Sequence, residues 1–326
     1  MLGRPRYTDG AADVGVTETT TIKKEYKHPQ YPNFVLVDCP GVGTQKCPKA
    51  DYLQLLDLQN CDFVIIISGE RFKENDAWLA TETTKAKKKF YFVRSKIDID
   101  IQNESETGGS KSSEVVKKVE DYSKKELSDL GFKNIDVFII SSNFKWRGKF
   151  HLNLLITTLL KDIPILKRDS LVLSISMTIQ PVQDQKKTIL LKRIGKIAST
   201  AACRVFSQTN GLKILHEEIV FYQEQFGVNA ERLKGLARQM DMKIDALKKE
   251  IDLRSLIILN DPLKFEEFCL PSTLSRKDIP VSDKRSRFQK LFLKKDYNRF
   301  RYALYDMLMM CYKESLKILN LISNKH

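Results

Sequence analysis

The chain has 326 residues, room for two ordinary domains, and with 42% hydrophobic and 29% charged residues it is not disordered throughout. Its formal net charge is +14. The six cysteines have no C-x-x-C spacing, which argues against a zinc site or a disulfide framework and favours a reduced, cytosolic compartment. No signal-peptide core follows Met1–Arg6, and no apolar run approaches the ~20 residues of a membrane-spanning helix.

The positive charge is concentrated in the second half of the chain. Residues 1–169 carry 27 basic against 24 acidic side chains, whereas residues 170–326 carry 28 against 17. Such a field attracts anionic membrane surfaces or nucleic acid, but a basic face also simply improves solubility. No recognisable nucleic-acid-binding module is present, so we expect no nucleic-acid partner.

Strand and helix patterns alternate through the first 164 residues. Residues 1–30 have the composition of a loop. Strands are predicted at Asn33–Asp38, Asp62–Ser68, Phe90–Arg94 and Ile135–Ile140, and helices at Lys49–Asn60, Glu74–Lys88, Ser112–Leu130 (closed by Gly131) and Leu152–Asp162. The continuous apolar run at 63–67 is typical of a parallel strand covered on both faces. The alternation predicts an α/β fold with a parallel sheet and right-handed crossovers.

After Pro164 the pattern becomes helical, which places a domain boundary between residues 164 and 165. Apolar residues with helical spacing predict helices at Gln185–Arg204, Leu212–Phe226, Ala230–Asp252 and Tyr297–Ser323. The stretch 271–288 has the composition of a linker. The basic, aromatic-rich stretch 288–302 has two interpretations: a helix lying on a membrane, or one that packs its aromatic side chains on the domain core.

A D-x-x-G motif, Asp38 to Gly41, ends the first predicted strand. From the end of a strand, the Asp38 carboxylate would reach a water molecule bound to Mg²⁺. Glycine at 41 would let the backbone N–H approach a γ-phosphate. The same letters also occur in ordinary strand-ending turns, so the motif alone leaves both interpretations open.

A second motif, Ser95-Lys96-Ile97-Asp98, follows the strand at Phe90–Arg94. The Asp98 carboxylate is suited to accept both N1–H and the 2-amino group of guanine, which adenine does not match, and the stem of Lys96 would lie over the ring. Most GTPases have Asn or Thr where this chain has Ser95, which keeps a hydroxyl. Two motifs in this order at strand ends predict a guanine-nucleotide site; a surface turn is the alternative.

Two further segments fit the same site. Ser141, Ser142 and Asn143 follow the strand at 135–140, where a loop would contact the guanine oxygen through its backbone, and Ser142 and Asn143 are the candidate site residues. Thr17, Thr19 and Thr20 precede the D-x-x-G strand, where a switch threonine would bind Mg²⁺. Spacing does not decide among the three threonines, and a plain β-branched loop is the alternative for each.

The residue after Gly41 is Val42, where many small GTPases have a glutamine that orients the attacking water. Valine neither donates nor accepts a hydrogen bond. We therefore expect slow intrinsic hydrolysis that depends on groups from elsewhere, such as a second protomer.

Together these segments resemble the immunity-related GTPases, the interferon-inducible p47-type family. The resemblance extends over essentially the whole chain and rests on Gly10–Thr20, Asp38–Thr44, Phe63–Ser68, Arg71–Asp76, Phe90–Asp98, Asp162–Pro164 and Phe221–Val228.

The resemblance implies a P-loop-NTPase-like G domain over residues 1–164 and an all-helical domain over residues 165–326. It implies binding of GTP or GDP with Mg²⁺, and slow hydrolysis accelerated by self-assembly. By position, Thr20 resembles the switch threonine and would bind Mg²⁺, as would Asp38 through water. Asp38 and Gly41 resemble the phosphate-sensing pair, and Lys96 and Asp98 the base readers.

The resemblance also implies partners and a location. The partners are further copies of the chain or related GTPases, and an intracellular membrane surface. The location is cytoplasmic and peripheral on endomembranes, namely endoplasmic reticulum, Golgi or pathogen vacuole, in innate defence induced by interferon. The alternative function is a non-catalytic member that regulates intact relatives.

The chain departs from the family at its beginning. A first strand and the phosphate loop would precede residue 1, and that strand would lie between those ending at Asp38 and Ser68. Without it two strand edges lack a partner inside the core. We therefore expect a chain of these 326 residues alone to bind nucleotide weakly and to fold poorly.

Overall fold

The computed structural model describes residues 22–27, 34–42, 48–143, 146, 149–163, 165–175, 179–205, 211–270 and 294–324. The chain divides into two compact units, with the division between Ser174 and Ile175. The domain boundary expected after Pro164 stays a prediction from the sequence.

The described residues of the first unit contain two separate sheets. β1 (Lys24–Lys27) and β2 (Val35–Asp38) pair antiparallel, with Lys24 opposite Asp38. β3 (Phe63–Ser68), β4 (Lys89–Arg94) and β5 (Val137–Ile139) form a parallel sheet with β4 in the centre. The predicted parallel α/β sheet is therefore confirmed for three of its four strands. The strand predicted at Asn33–Asp38 is not part of it, because β2 pairs antiparallel with β1.

Strand β1 corrects the prediction of a loop over residues 1–30, of which the structure describes residues 22–27. The strand is short, and its sequence, Lys-Glu-Tyr-Lys, has no apolar alternation. It forms because its backbone pairs with β2, a cause that side-chain patterns do not reveal.

The helices of the first unit lie between the strands as expected, with two additions. Helix α1 is Lys49–Leu56 (followed by a 3₁₀ turn, Leu58–Asn60), α2 Glu74–Lys85, α3 Ile97–Glu106, α4 Ser112–Asp129, α5 Leu152–Asp162 and α6 Ile165–Ser174. Gly131 closes α4 as predicted, at φ +87° with its N–H donating to the Ser128 carbonyl. Helices α3 and α6 were not predicted.

The sequence of α3 hides its helical character. Isoleucines at 97, 99 and 101 alternate as they would in a strand. In the helix, Ile97 and Ile101 are four residues apart and share the buried face, while Ile99 is 48% exposed. The first turn of α3 carries the Asp98 side chain of the predicted base-recognition motif.

The core of this unit surrounds β4, whose residues Phe90 to Arg94 are buried. The expectation that β3 is covered on both faces is wrong for the described residues. Ile66 is 2% exposed, because its face packs against the cluster that includes Phe92 and Ile97. Ile67, on the other face, is 62% exposed. Strand β3 is an edge strand of its sheet rather than a central one.

The described residues of the second unit are helical and contain no strand, as predicted. Its helices are α7 (Gln180–Val205), α8 (Gly211–Phe226), α9 (Ala230–Gln239), α10 (Ile244–Ile251), α11 (Arg254–Asn260), α12 (Pro262–Cys269) and α13 (Lys294–Asn324). The single helix expected at Ala230–Asp252 is wrong: the chain turns at Asp241, in the left-handed region at φ +49°. Helices α11 and α12 were not predicted.

Two sequence predictions concern the approach to α13. The predicted linker 271–288 lies outside the described residues, as does the part of the basic aromatic stretch before residue 294. Within α13, Phe300 is 2% exposed, which favours packing of this aromatic side chain in the domain core. No helix among the described residues is both long and apolar enough to cross a bilayer.

Candidate nucleotide-binding site

The S-K-x-D motif is anchored at the carboxyl end of the parallel sheet. β4 ends at Arg94, and the backbone N–H of Ser95 donates to the Ser68 carbonyl at 2.8 Å, where β3 ends. The Ser95 hydroxyl donates to the same carbonyl at 3.2 Å. Ser95 therefore joins the motif to the neighbouring strand.

Lys96 has an unusual backbone conformation. It caps α3 in the left-handed region, at φ +61°, which few residues other than glycine adopt. Its side chain crosses Gly69: a Cβ at position 69 would lie 3.4 Å from the Lys96 Cε and 3.5 Å from its Nζ. The lysine stem therefore lies within van der Waals reach of the backbone that follows β3.

Asp98 is held by a residue of the predicted loop after β5 that had no role of its own in the prediction. The Ser141 hydroxyl donates to Asp98 Oδ1 at 2.7 Å and accepts from the Asn143 N–H at 3.1 Å. Ser141 is 2% exposed. This hydroxyl brings the base-recognition motif and the loop after β5 together. In the sequence, Ser141 is marked only by its position, directly after an apolar strand and one residue before the predicted Ser142.

The loop after β5 is anchored beyond the site. Ser142 and Asn143 are exposed. The Asn143 carbonyl accepts from the Trp146 N–H at 3.1 Å, and the Trp146 ring stacks on Phe150, with 5.9 Å between ring centroids. Trp146 also packs against the core cluster of the sheet. The loop is therefore fixed at both ends, by Ser141 and by Trp146.

The first turn of α3 carries two carboxylates, Asp98 and Asp100. The pKa of Asp100 is raised overall, mainly by burial. The Arg94 guanidinium lowers this pKa, and the nearby Asp98 charge raises it. Arg94 and Asp100 form an ion pair with 2.6 Å between Nη2 and Oδ2. The two acids therefore have different partners: Asp98 faces Ser141, and Asp100 faces Arg94.

The D-x-x-G segment lies on the other sheet, at the end of β2. Asp38 and Gly41 are exposed. The Tyr52 hydroxyl, from α1, donates to the Pro40 carbonyl at 2.8 Å. The Asn75 side-chain amide, from α2, donates to the Val42 carbonyl at 2.7 Å. Two helices thus hold the backbone of this segment, and neither contact was foreseen from the sequence.

The donor set for Mg²⁺ is described only in part, because Thr17, Thr19 and Thr20 lie outside the described residues. Across the part of the chain that is described, no group of three His, Cys, Asp or Glu side chains is placed to hold a metal ion. Magnesium in nucleotide sites is bound by one or two protein ligands, water and the phosphates. An exposed carboxylate at a strand end, such as Asp38, fits that donor set.

The fold is that of an α/β G domain followed by a helical domain, with an S-K-x-D motif at the carboxyl end of a parallel sheet. The family model for interferon-inducible GTPases matches residues 5–269. The chain belongs to this family.

Curated relatives are similar to the chain over most of its length. It is 32% identical to the mouse protein interferon-inducible GTPase 1 over 260 residues, 77% of this chain and 62% of that protein. It is also 32% identical to mouse interferon-gamma-inducible GTPase 10, over 74% of this chain and 59% of that protein. It is 30% identical to rat interferon-inducible GTPase 5, over 87% of this chain and 60% of that protein. The chain thus spans about three-fifths of the length of these relatives.

Proposed function

We propose that this protein binds guanine nucleotides, with Asp98 and Lys96 as the residues that recognise the base. The observation that carries the proposal is the Ser141–Asp98 hydrogen bond, which fixes the carboxylate beside the loop after β5. A carboxylate fixed in this way accepts from N1–H and the 2-amino group of guanine. It rejects adenine, because adenine offers no matching pair of donors.

The remaining predicted residues take the roles that their positions suggest. The stem of Lys96 covers the base plane, and Ser95 ties the motif to β3. Ser142 and Asn143 present backbone groups to the guanine oxygen. Asp38 and Thr20 hold Mg²⁺, Asp38 through a water molecule, and Gly41 donates its N–H to the γ-phosphate; Thr17 and Thr19 are the alternatives to Thr20.

Hydrolysis of GTP to GDP is slow in this proposal and depends on self-assembly. Val42 follows Gly41 and offers no group to orient water. The named relatives are GTPases. In this proposal, the group that orients the attacking water comes from a second copy of the chain or from a related GTPase.

Two measurements on the full-length protein test binding and turnover. In a competition titration with fluorescent GDP, unlabelled GDP should displace the probe, and ADP should not at the same concentration. Phosphate release per protein molecule from GTP should rise with protein concentration. Equal displacement by ADP would contradict base recognition, and a constant rate per molecule would contradict assembly-dependent turnover.

A second candidate function is a non-catalytic member of the family that regulates intact relatives. Val42 favours it, because this side chain does not assist hydrolysis. The competition titration with GDP and ADP, combined with the phosphate-release assay, separates the GTP-hydrolysing function from the regulatory one. Selective guanine binding without phosphate release, even at high protein concentration, supports the regulatory function.

We place the protein in the cytoplasm and peripherally on intracellular membranes, as part of innate defence induced by interferon. The excess of basic residues after residue 170, 28 against 17 acidic, supports the membrane surface. The interferon-inducible relatives support the role in defence. Sedimentation with liposomes should show binding that increases with the fraction of anionic lipid and falls with salt. Binding that does not depend on lipid charge would contradict this placement.

A further inference from the structure

Arg94, the last residue of β4, connects three segments around the base-recognition motif. Its Nη1 donates to the Gly69 carbonyl at 2.8 Å and also to the Ser95 carbonyl. Its Nη2 donates to Asp100 Oδ2 at 2.6 Å. The side chain is only 8% exposed. One buried guanidinium therefore links the end of β3, the backbone of the motif and the first turn of α3.

The contact with Gly69 fixes the surface beneath Lys96. The lysine stem passes close to Gly69, so the position of the stem depends on where this backbone lies. Because Arg94 holds the Gly69 carbonyl, it also holds the support on which the Lys96 side chain rests.

The contact with Asp100 fixes the helix turn that carries Asp98. Asp100 is two residues beyond Asp98. Arg94 binds Asp100, whereas Ser141 binds Asp98. The first turn of α3 is thus held by two side chains at two points. The backbone of Arg94 adds a third connection, because its carbonyl accepts from the Ile140 N–H at 2.9 Å, just before Ser141.

We propose that Arg94 is a positioning residue for guanine selectivity: it holds Lys96 through Gly69 and Asp98 through Asp100 in the geometry that the base requires. This inference rests on the proposed nucleotide binding. Arginine suits the role because its planar fork satisfies several acceptors at once in fixed directions. Lysine would keep the charge but not the fork.

The test compares three variants: Arg94→Lys, Asp100→Ala and the control Lys89→Gln. Lys89 lies at the opposite end of the same strand, where its exposed side chain pairs with Asp162. The measured quantity is the ratio of the affinities for GDP and IDP, since IDP lacks the 2-amino group that Asp98 would bind. A fold-wide defect would weaken both nucleotides alike, whereas a displaced Asp98 lowers the ratio.

We expect the GDP-to-IDP ratio to fall about fivefold or more in Arg94→Lys and Asp100→Ala, the size of one net hydrogen bond. It should be unchanged in Lys89→Gln. A parallel fall in both affinities, or an unchanged ratio in both site variants, would overturn the inference.

Amide hydrogen exchange without nucleotide provides a second readout that does not depend on binding. Residues 95–100 should exchange faster in Arg94→Lys than in the unsubstituted chain, while α4 keeps its protection. Unchanged protection at 95–100 would overturn the inference. The nucleotide measurements use the full-length protein and its variants. If the unsubstituted protein binds neither GDP nor IDP, the proposed function fails, and hydrogen exchange alone decides the role of Arg94.

Discussion

In the first unit, the proposed base-recognition end (Ser95, Lys96, Asp98 and Ser141) is built differently from the proposed phosphate-sensing end (Asp38, Gly41 and Val42). At the base-recognition end, a buried serine fixes a carboxylate and a buried arginine fixes the surrounding backbone. At the phosphate-sensing end, Tyr52 and Asn75 hold two backbone carbonyls of a segment on a separate sheet.

This difference suits the two tasks. Recognising guanine requires donors and acceptors in fixed directions, so a rigid carboxylate is useful whether or not nucleotide is bound. Sensing a γ-phosphate requires a segment that is ordered when the phosphate is present and released when it is lost.

The largest expected effect is on stability, and it comes from the buried face of β3, the edge strand of the parallel sheet. Ile66→Ala should lower the free energy of unfolding by about 2–5 kcal/mol, because it leaves a cavity in the packed face. Ile67→Ala, with a side chain 62% exposed, should change it by about 0.5 kcal/mol or less. Urea unfolding followed by circular dichroism measures both. A similar cost for the two variants would mean that both faces are covered in solution.

The next largest effect is on GDP binding, and it is expected at Ser141. Ser141→Ala removes the hydroxyl between Asp98 and the Asn143 N–H, and should weaken GDP binding about tenfold, in line with about 1–3 kcal/mol for an unsatisfied buried polar group. Isothermal titration measures the change. The control is Ser123→Ala, which removes an equally buried hydroxyl within α4. If both variants bind GDP as the unsubstituted chain does, Ser141 does not orient the carboxylate.

The smallest effect is expected at Tyr52. Tyr52→Phe keeps the ring and loses the hydrogen bond to the Pro40 carbonyl, which should cost about 1 kcal/mol of stability. The GDP-to-IDP ratio should stay the same, because the hydrogen bond that is lost ends on the Pro40 carbonyl of the phosphate-sensing segment. A shift in that ratio would show that the two ends are not independent.

Local sequence features predicted the strand ends that carry the candidate base-recognition residues. Apolar runs marked the ends of β3, β4 and β5, and the letters after β4 carried the motif. The contact between Ser141 and Asp98 joins residues 43 positions apart, so no local pattern revealed it. The roles of Arg94 and Asn75 were hidden for the same reason, because each acts on a carbonyl in a distant segment.

Errors in secondary structure have equally physical causes. Strand β1 forms through backbone pairing with β2, and its side chains carry no period. Helix α3 looks like a strand by its alternating isoleucines. The turn between α9 and α10 has neither glycine nor proline, because Asp241 itself adopts the left-handed conformation.

The most direct measurement of the central claim is the base preference of Asp98→Asn. An asparagine amide should accept poorly from the guanine donors and bind the carbonyl that xanthine has in place of the 2-amino group. The variant should therefore prefer XDP over GDP, and the GDP-to-XDP affinity ratio should fall by about two orders of magnitude or more. A ratio equal to that of the unsubstituted chain would contradict guanine recognition by Asp98.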